Sequence, residues 1–326
     1  MELFRGVNVD WLRLKWYFLG FSLIFSVSGI VAMSLHWTHG TPGHRSPVPL
    51  GVDFRGGTEV QVQFDQTPDI KAIREAVAAG GIKDGSAVNY DDPKLNEVLI
   101  SLPEQHDESN LDSGRAQIVN ALHEHYANTF KDSGIKVDVV GPTVGRQLES
   151  KAAWATVYSL LGMLVYLWFR FQLIYGVAAV VAVFHDTLIT VGAFALLNKE
   201  ISLTVIAAIL TLIGYSMNDT IVVFDRIREN LRLSRRESLP DVVNRSINQT
   251  LSRTVLTSGL TFLTVLSLYI FGGAVLNGFS FALVVGILIG TYSSIAVAAP
   301  MLVAWQQWRA SKGKAVVLPA AKRSRS

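Results

Sequence analysis

Gly214-Tyr-Ser-Met-Asn-Asp-Thr-Ile-Val-Val-Phe-Asp-Arg-Ile-Arg-Glu-Asn230 is a polar sequence that continues straight out of an apolar run. From Ile201 to Phe224 the one charged residue is Asp219, about seven positions before Arg226. At ~1.5 Å per helical residue, Asp219 lies roughly 10 Å inside the hydrocarbon if Arg226 marks the aqueous edge. An ionisable group at that depth needs a partner, a water-filled cavity or a proton, and such groups are kept mostly where ions or substrates pass. The plainer reading is a helix-to-helix hydrogen bond.

The rest of the chain supports a membrane setting. Half of the 326 residues are hydrophobic and 17% are charged, and the mean hydropathy is +0.33, too apolar for an ordinary soluble protein. The absence of cysteine rules out a disulfide framework, a thiolate nucleophile and a thiolate metal site. Arg5, Arg13 and Lys15 precede twenty uncharged residues, Trp16 to Leu35, which read as a first span over 16–36 after a short N-terminus, 1–15. Ala32-Met33-Ser34 imitates a cleavage site, but the run is longer than a signal-peptide core, so an uncleaved anchor is expected.

Residues 37–150 differ in composition, with Pro and Gly at the start and acids outnumbering bases. Strands are expected over 58–64, 88–90, 97–102 and 135–140, with helices over 70–79 and 116–130 and a turn at Asp91-Asp-Pro-Lys94. This order, βαββαβ, predicts a ferredoxin-like α+β domain. Five more apolar runs follow within 151–308: 152–169, 171–197, 201–224, 255–271 and 278–308. The fold class is therefore a polytopic α-helical membrane protein with six transmembrane helices and one α+β domain.

Arg170, the arginines of a predicted loop 226–252 and the basic tail 309–326 put these faces and both termini in the cytoplasm by the positive-inside rule, and 37–150 outside. Within the loop, Ser238-Leu-Pro-Asp opens an amphipathic segment to Ile247, expected as a helix on the inner membrane surface. A basic solvated loop is the alternative.

Arg253 enters the membrane on the fifth span, at a depth comparable to Asp219. It either snorkels to the headgroups or pairs with the acid. Thr250, Thr254, Thr257, Thr261 and Thr264 form a hydroxyl stripe suited to packing or to ordering water, and Ser258 adds a hydroxyl on a nearby face. Phe184-His-Asp-Thr187 places a second acid, Asp186, in the third span. Helical neighbours point about 100° apart, so His185 and Asp186 face different partners. In the sixth span Ala282, Gly286, Gly290, Ser294 and Ala298 make a small-residue stripe for close helix packing, and Pro300 should loosen the helix. Gly51-Val-Asp-Phe-Arg-Gly-Gly57 lacks the ending of a phosphate loop and reads as a turn and bulge. No zinc-ligand spacing and no nucleic-acid motif is present, and the basic loops are topology signals first.

These motifs, with Val140-Gly-Pro-Thr-Val-Gly145, Gln249-Thr-Leu-Ser-Arg-Thr254 and Gly290-Thr-Tyr-Ser-Ser294, resemble the SecF family of protein translocase subunits, part of the resistance-nodulation-division superfamily, from about residue 5 to residue 309. The resemblance implies a non-enzymatic subunit of the bacterial cytoplasmic (inner) membrane. It would work with SecD beside the SecYEG channel and use the proton-motive force to help unfolded secretory proteins, bound by the outer domain, leave the channel. The coupling ion is the proton, and no cofactor or metal is implied. Carried over by motif, Asp219 is the membrane carboxylate and Arg253 the membrane arginine of the proton path, with a further acid from SecD. Asp186 is a candidate for the same path, with Asn218, Thr220, Thr254 and Thr257 as supporting polar residues. Met217 stands where a β-branched residue is common. Two other readings are weighed: a stand-alone small-molecule exporter of the superfamily, which needs an internal repeat this chain is too short to hold, and an intramembrane aspartyl protease using Asp186 and Asp219 as a proton-sharing dyad.

Overall fold

Alternation and helical spacing build the small domain first. In the computed structural model, which describes residues 8–39, 45–66, 69–80, 86–90, 96–103, 111–126, 135–170, 173–234 and 237–312, the first long helix, α1 (Lys15–His39), leads to a single helical turn, α2 (Val52–Arg55). The domain then runs β1 (Gly57–Gln63), α3 (Ile70–Ala79), β2 (Ser86–Tyr90), β3 (Glu97–Pro103), α4 (Leu111–Tyr126) and β4 (Lys136–Val140). The sheet order is β2-β3-β1-β4 and each pairing is antiparallel, with Val60 opposite Ile100 on one side and Val137 on the other. This is the expected ferredoxin-like arrangement. Val60 and Val62 of the alternating strand β1 are fully buried against Ile73 of α3 and Ile118 and Leu122 of α4. Asp69 caps α3 by accepting from the backbone N–H of Lys71 at 2.9 Å. The turn at Asp91-Asp-Pro-Lys94, Arg5, Arg235, Arg236 and the tail from residue 313 lie outside the described residues.

Among the described residues, six helices are long and apolar enough to cross a membrane. After α1 come α5 (Pro142–Arg170), α6 (Leu173–Leu196), α7 (Leu203–Leu233), α8 (Leu239–Phe271) and a last pair, α9 (Gly273–Ser293) and α10 (Ala299–Ser311), joined by a π-helical turn at Ser294–Ala298. Pro300 has no N–H to give to the preceding turn, and the wider i→i+5 register just ahead of it relieves that conflict.

Two sequence expectations need correction. Residues 226–252 are largely helical: α7 runs on through Arg226, Arg228 and Arg232, and α8 starts at Leu239. Arginine is a good helix former, so a change to basic composition ends a hydrocarbon-compatible run without ending the helix. The segment from Ser238 is not a separate surface helix but the first turns of α8. Ser238 caps it, accepting from Asp241 N at 3.3 Å, as its position before Leu-Pro requires. Its buried face, Val242, Val243 and Ile247, meets the apolar core that includes Ile227 and Leu231 of α7, so that face covers protein rather than lipid. Asn230 ties the two helices by donating to Ser246 Oγ and Gln249 Oε1, both at 2.8 Å.

Small residues set the close approaches. A Cβ on Gly29 of α1 would fall 2.9 Å from Gly192 Cα of α6, and the reciprocal Cβ 2.7 Å from Gly29 Cα, so both positions require glycine for the backbones to meet. The stripe on α9 behaves as expected against α7: Gly290 faces Ser216, where an added Cβ would come to 3.0 Å of Ser216 Cβ.

Candidate membrane proton site

The buried face of α7 presents Leu212, Ser216, Asp219, Thr220 and Val223 to its neighbours. Asp219 is 2% exposed. Its Oδ2 accepts from Ser258 Oγ of α8 at 2.7 Å and, at the limit of hydrogen bonding, from Thr291 Oγ1 of α9 at 3.5 Å. Three helices thus converge on one carboxylate, and among the described residues no Lys, Arg or His lies within ion-pair distance of it.

Arg253 is not that partner in this arrangement. Its side chain is exposed, and its charge acts on Asp219 only through space. None of the expected supporting residues, Asn218, Thr220, Thr254 and Thr257, donates to Asp219. Thr250, Thr257, Thr261 and Thr264 each donate to a backbone carbonyl one turn back on α8, so their protons are not given to the acid. Thr254 is buried, and its hydroxyl has no partner among the described residues. Thr220 donates to the Ser216 carbonyl at 3.3 Å, and Asn218 is exposed. Ser258, noted beside the stripe, is the direct donor. Thr291, the second donor, has no sequence signal beyond its place in Gly290-Thr-Tyr-Ser-Ser294.

Asp186 on α6 forms a second node, fully buried at 0% exposure. Its Oδ2 accepts from Ser216 Oγ at 2.5 Å and Ser293 Oγ at 2.7 Å, and its Oδ1 lies 3.0 Å from His185 Nδ1. His185 Nε2 contacts Ser22 Oγ of α1 at 3.0 Å, Ser22 contacts Tyr292 OH at 3.2 Å, and Tyr292 donates to the Phe18 carbonyl. The donors can be ordered. Tyr292 spends its one proton on Phe18, so Ser22 donates to Tyr292 and His185 Nε2–H donates to Ser22. The Nδ1 to Oδ1 contact therefore holds a proton, carried by the ring or by the carboxyl. Residues 185 and 186 do face different partners, α1 on one side and α7 with α9 on the other, as their helical offset requires.

The two carboxylates take their hydrogen bonds from separate sets of hydroxyls, and none of these bonds joins one carboxylate to the other, which is not the geometry of a proton-sharing dyad. Among the described residues, no three His, Asp or Glu side chains converge as a metal site. Arg226 and Arg228, of the predicted basic loop, are engaged. Arg226 donates to Gln249 and to Glu229, each at 2.7 Å, and Arg228 to the Arg170 carbonyl at 3.2 Å.

The sequence matches the family description "Protein export membrane protein SecD/SecF, C-terminal" over residues 119–308 and "SecD/SecF GG Motif" over 46–68. A protein translocase subunit SecF from Koribacter versatilis is 52% identical, covering 97% of this chain and 96% of the relative. The SecF of Desulfurispirillum indicum is 42% identical over 93% of each. The crystal structure of SecDF from Thermus thermophilus, described as a translocon-associated membrane protein, superposes with a TM-score of 0.77 at 34% identity. That match covers 93% of this chain and 39% of the SecDF chain. With six candidate spans among the described residues, a ferredoxin-like domain and 52% identity to a translocase subunit over nearly the full length, the chain belongs to the SecF branch of the SecD/SecF family of protein-export membrane proteins.

Proposed function

We propose that this chain pairs with SecD in a bacterial cytoplasmic membrane and couples proton entry to late steps of protein export through the SecYEG channel. Both termini face the cytoplasm. The α+β domain, within residues 37–150, faces outward and binds unfolded secretory chains. The observation that carries the reading is Asp219: a nearly inaccessible carboxylate held by hydroxyls, without a cation in contact. A charge so placed is costly unless it is neutralised by a proton or met by a cation.

Both solutions are at hand on adjacent helices. Protonated, Asp219 rests among Ser258 and Thr291. On losing the proton it draws in Arg253 of α8, a cation without an ion pair among the described residues, and SecD supplies a further acid of the path. Alternation between these states shifts α7 and α8 against each other. One charge crossing the field supplies roughly 2.3 kcal/mol per 100 mV, enough to bias a domain motion between states a few kcal/mol apart. Asp186, with the proton it shares with His185, belongs to the same path. Protons are the coupling ion and no cofactor is needed. An independent small-molecule exporter has no specific observation in its favour.

The test is export in cells with intact SecD. Asp219→Asn should remove the part of export that depends on the proton-motive force while leaving the complex assembled, and unchanged export refutes the proposal.

A further inference from the structure

Gly51-Val-Asp-Phe-Arg-Gly-Gly57 plays no part in the proton site, yet it is bonded to the helix that carries it. Asp53 Oδ2 accepts a hydrogen bond from the backbone N–H of Leu203 at 2.8 Å, and Leu203 is the first residue of α7. The opening N–H groups of a helix have no partner inside it. Ser202 takes another of them, Val205 N at 3.4 Å, so α7 is capped both by its own preceding residue and by a side chain from the small domain. The backbone beside Asp53 holds the same turn: Ile201 N donates to the Pro49 carbonyl at 2.8 Å and Gly51 N to the Ile201 carbonyl at 3.0 Å.

The other face of the motif leads into the domain. Gly56 and Gly57 adopt φ of 78° and 146°, a backbone that favours glycine, and this reversal feeds directly into β1, a central strand of the sheet. The Phe54 carbonyl packs on Gly145 of α5, where an added Cβ would come to 2.6 Å. The turn before α7 is tied to α9 as well, because Lys199 Nζ donates to Asn277 Oδ1 at 2.8 Å and lies 5.0 Å from the Phe281 ring centroid.

We infer that Asp53 is a positioning residue, the joint by which the outer domain is fixed to the outer end of α7, so that movement of the helix bearing Asp219 is delivered to the sheet. The joint is a property of the geometry, and its use in export rests on the proton reading above. From Leu203 to Asp219 the helix is uninterrupted, a rod of about 24 Å at ~1.5 Å per residue. A displacement at the carboxylate therefore arrives at Asp53 undiluted by any hinge.

The full chain with its SecD partner, reconstituted in vesicles, provides the test. The chain has no native cysteine, so Glu124→Cys on α4 and Phe271→Cys at the outer end of α8, both exposed, accept spin labels whose separation is measured with and without a proton gradient. Asp53→Ala should broaden the distance distribution and cut its response to the gradient about fivefold, the low end of coupling between linked sites. Proton flux should stay at the wild-type level. Asp53→Asn, which keeps an acceptor oxygen, should restore both distance readouts.

Wild-type distances and response in Asp53→Ala overturn the joint. So does failure of Asn to rescue, or a loss of flux in step with the loss of order, which would mark a merely structural residue. A wild-type complex without gradient response, in which Asp53→Ala still broadens the distribution and Asp53→Asn narrows it, upholds the joint and overturns the proton reading instead.

Discussion

Gly286→Ala probes the contact that holds α7 against α9 and hence the geometry around Asp219. The new Cβ would lie 2.5 Å from Leu212 Cδ1, closer still to Cδ2, and 2.9 Å from Cγ, where carbon atoms ordinarily rest about 3.5–4.0 Å apart. Leu212 is 0% exposed, so it cannot swing out to lipid. Either the helices part by ~1 Å or Leu212 leaves its rotamer, and overpacking of this kind costs about 1–3 kcal/mol. The better helix propensity of Ala offsets about 1 kcal/mol, leaving a net loss of up to roughly 2 kcal/mol. The same separation would break the 3.5 Å contact from Thr291 to Asp219. The assay is denaturation of the purified protein in mixed micelles for Gly286→Ala, Leu212→Ala and the pair. Leu212→Ala alone should cost about 2–5 kcal/mol. With the clash gone, the double variant should be more stable than additivity predicts by ~1 kcal/mol. A Gly286→Ala protein as stable as wild type, with an additive double variant, refutes the reasoning.

Other outcomes follow from single contacts. Asp186→Ala leaves Ser216, Ser293 and His185 without their shared buried acceptor and should cost about 3 kcal/mol or more. Asp186→Asn, whose amide can donate to His185 Nδ1, should stay within ~1 kcal/mol of wild type in the same denaturation. Burial raises the carboxyl pKa of Glu200, in the turn between α6 and α7, with Arg55 pulling the other way. A raised folded-state pKa gives stability that is complete at low pH and lost as pH climbs through that raised value. Thermal unfolding should therefore show stability falling across that window, and Glu200→Gln should flatten the fall. Ser238→Ala removes the cap of α8 and should cost ~1 kcal/mol, read as faster amide exchange in the first turn after residue 238.

The six spans and the order of the small domain were legible because apolar runs and alternation are local signals. Helix ends were not, where composition and conformation part ways. Arg226, Arg228 and Arg232 look like a loop by charge but are good helix formers, and Arg146, Glu149 and Lys151 extend α5 toward the small domain on the same grounds. At the site, Asp219 and Asp186 stood out by their cost in the membrane. Their partners depended on which face of a neighbouring helix arrives. Four threonines of α8, Thr250, Thr257, Thr261 and Thr264, satisfied themselves on carbonyls one turn back while Ser258 turned inward. Gly29 and Gly192 meet across two helices far apart in sequence, with no local pattern to pair them. Asp53 gave no sequence signal for its role, since a cap supplied from 150 residues away exists only in the folded chain.

Proton flux through vesicles containing this chain and SecD, measured for wild type and Asp219→Asn at equal assembly, addresses the central claim most directly. The account predicts gradient-driven flux in the wild type and its loss in Asp219→Asn. Flux undiminished in the variant would contradict it.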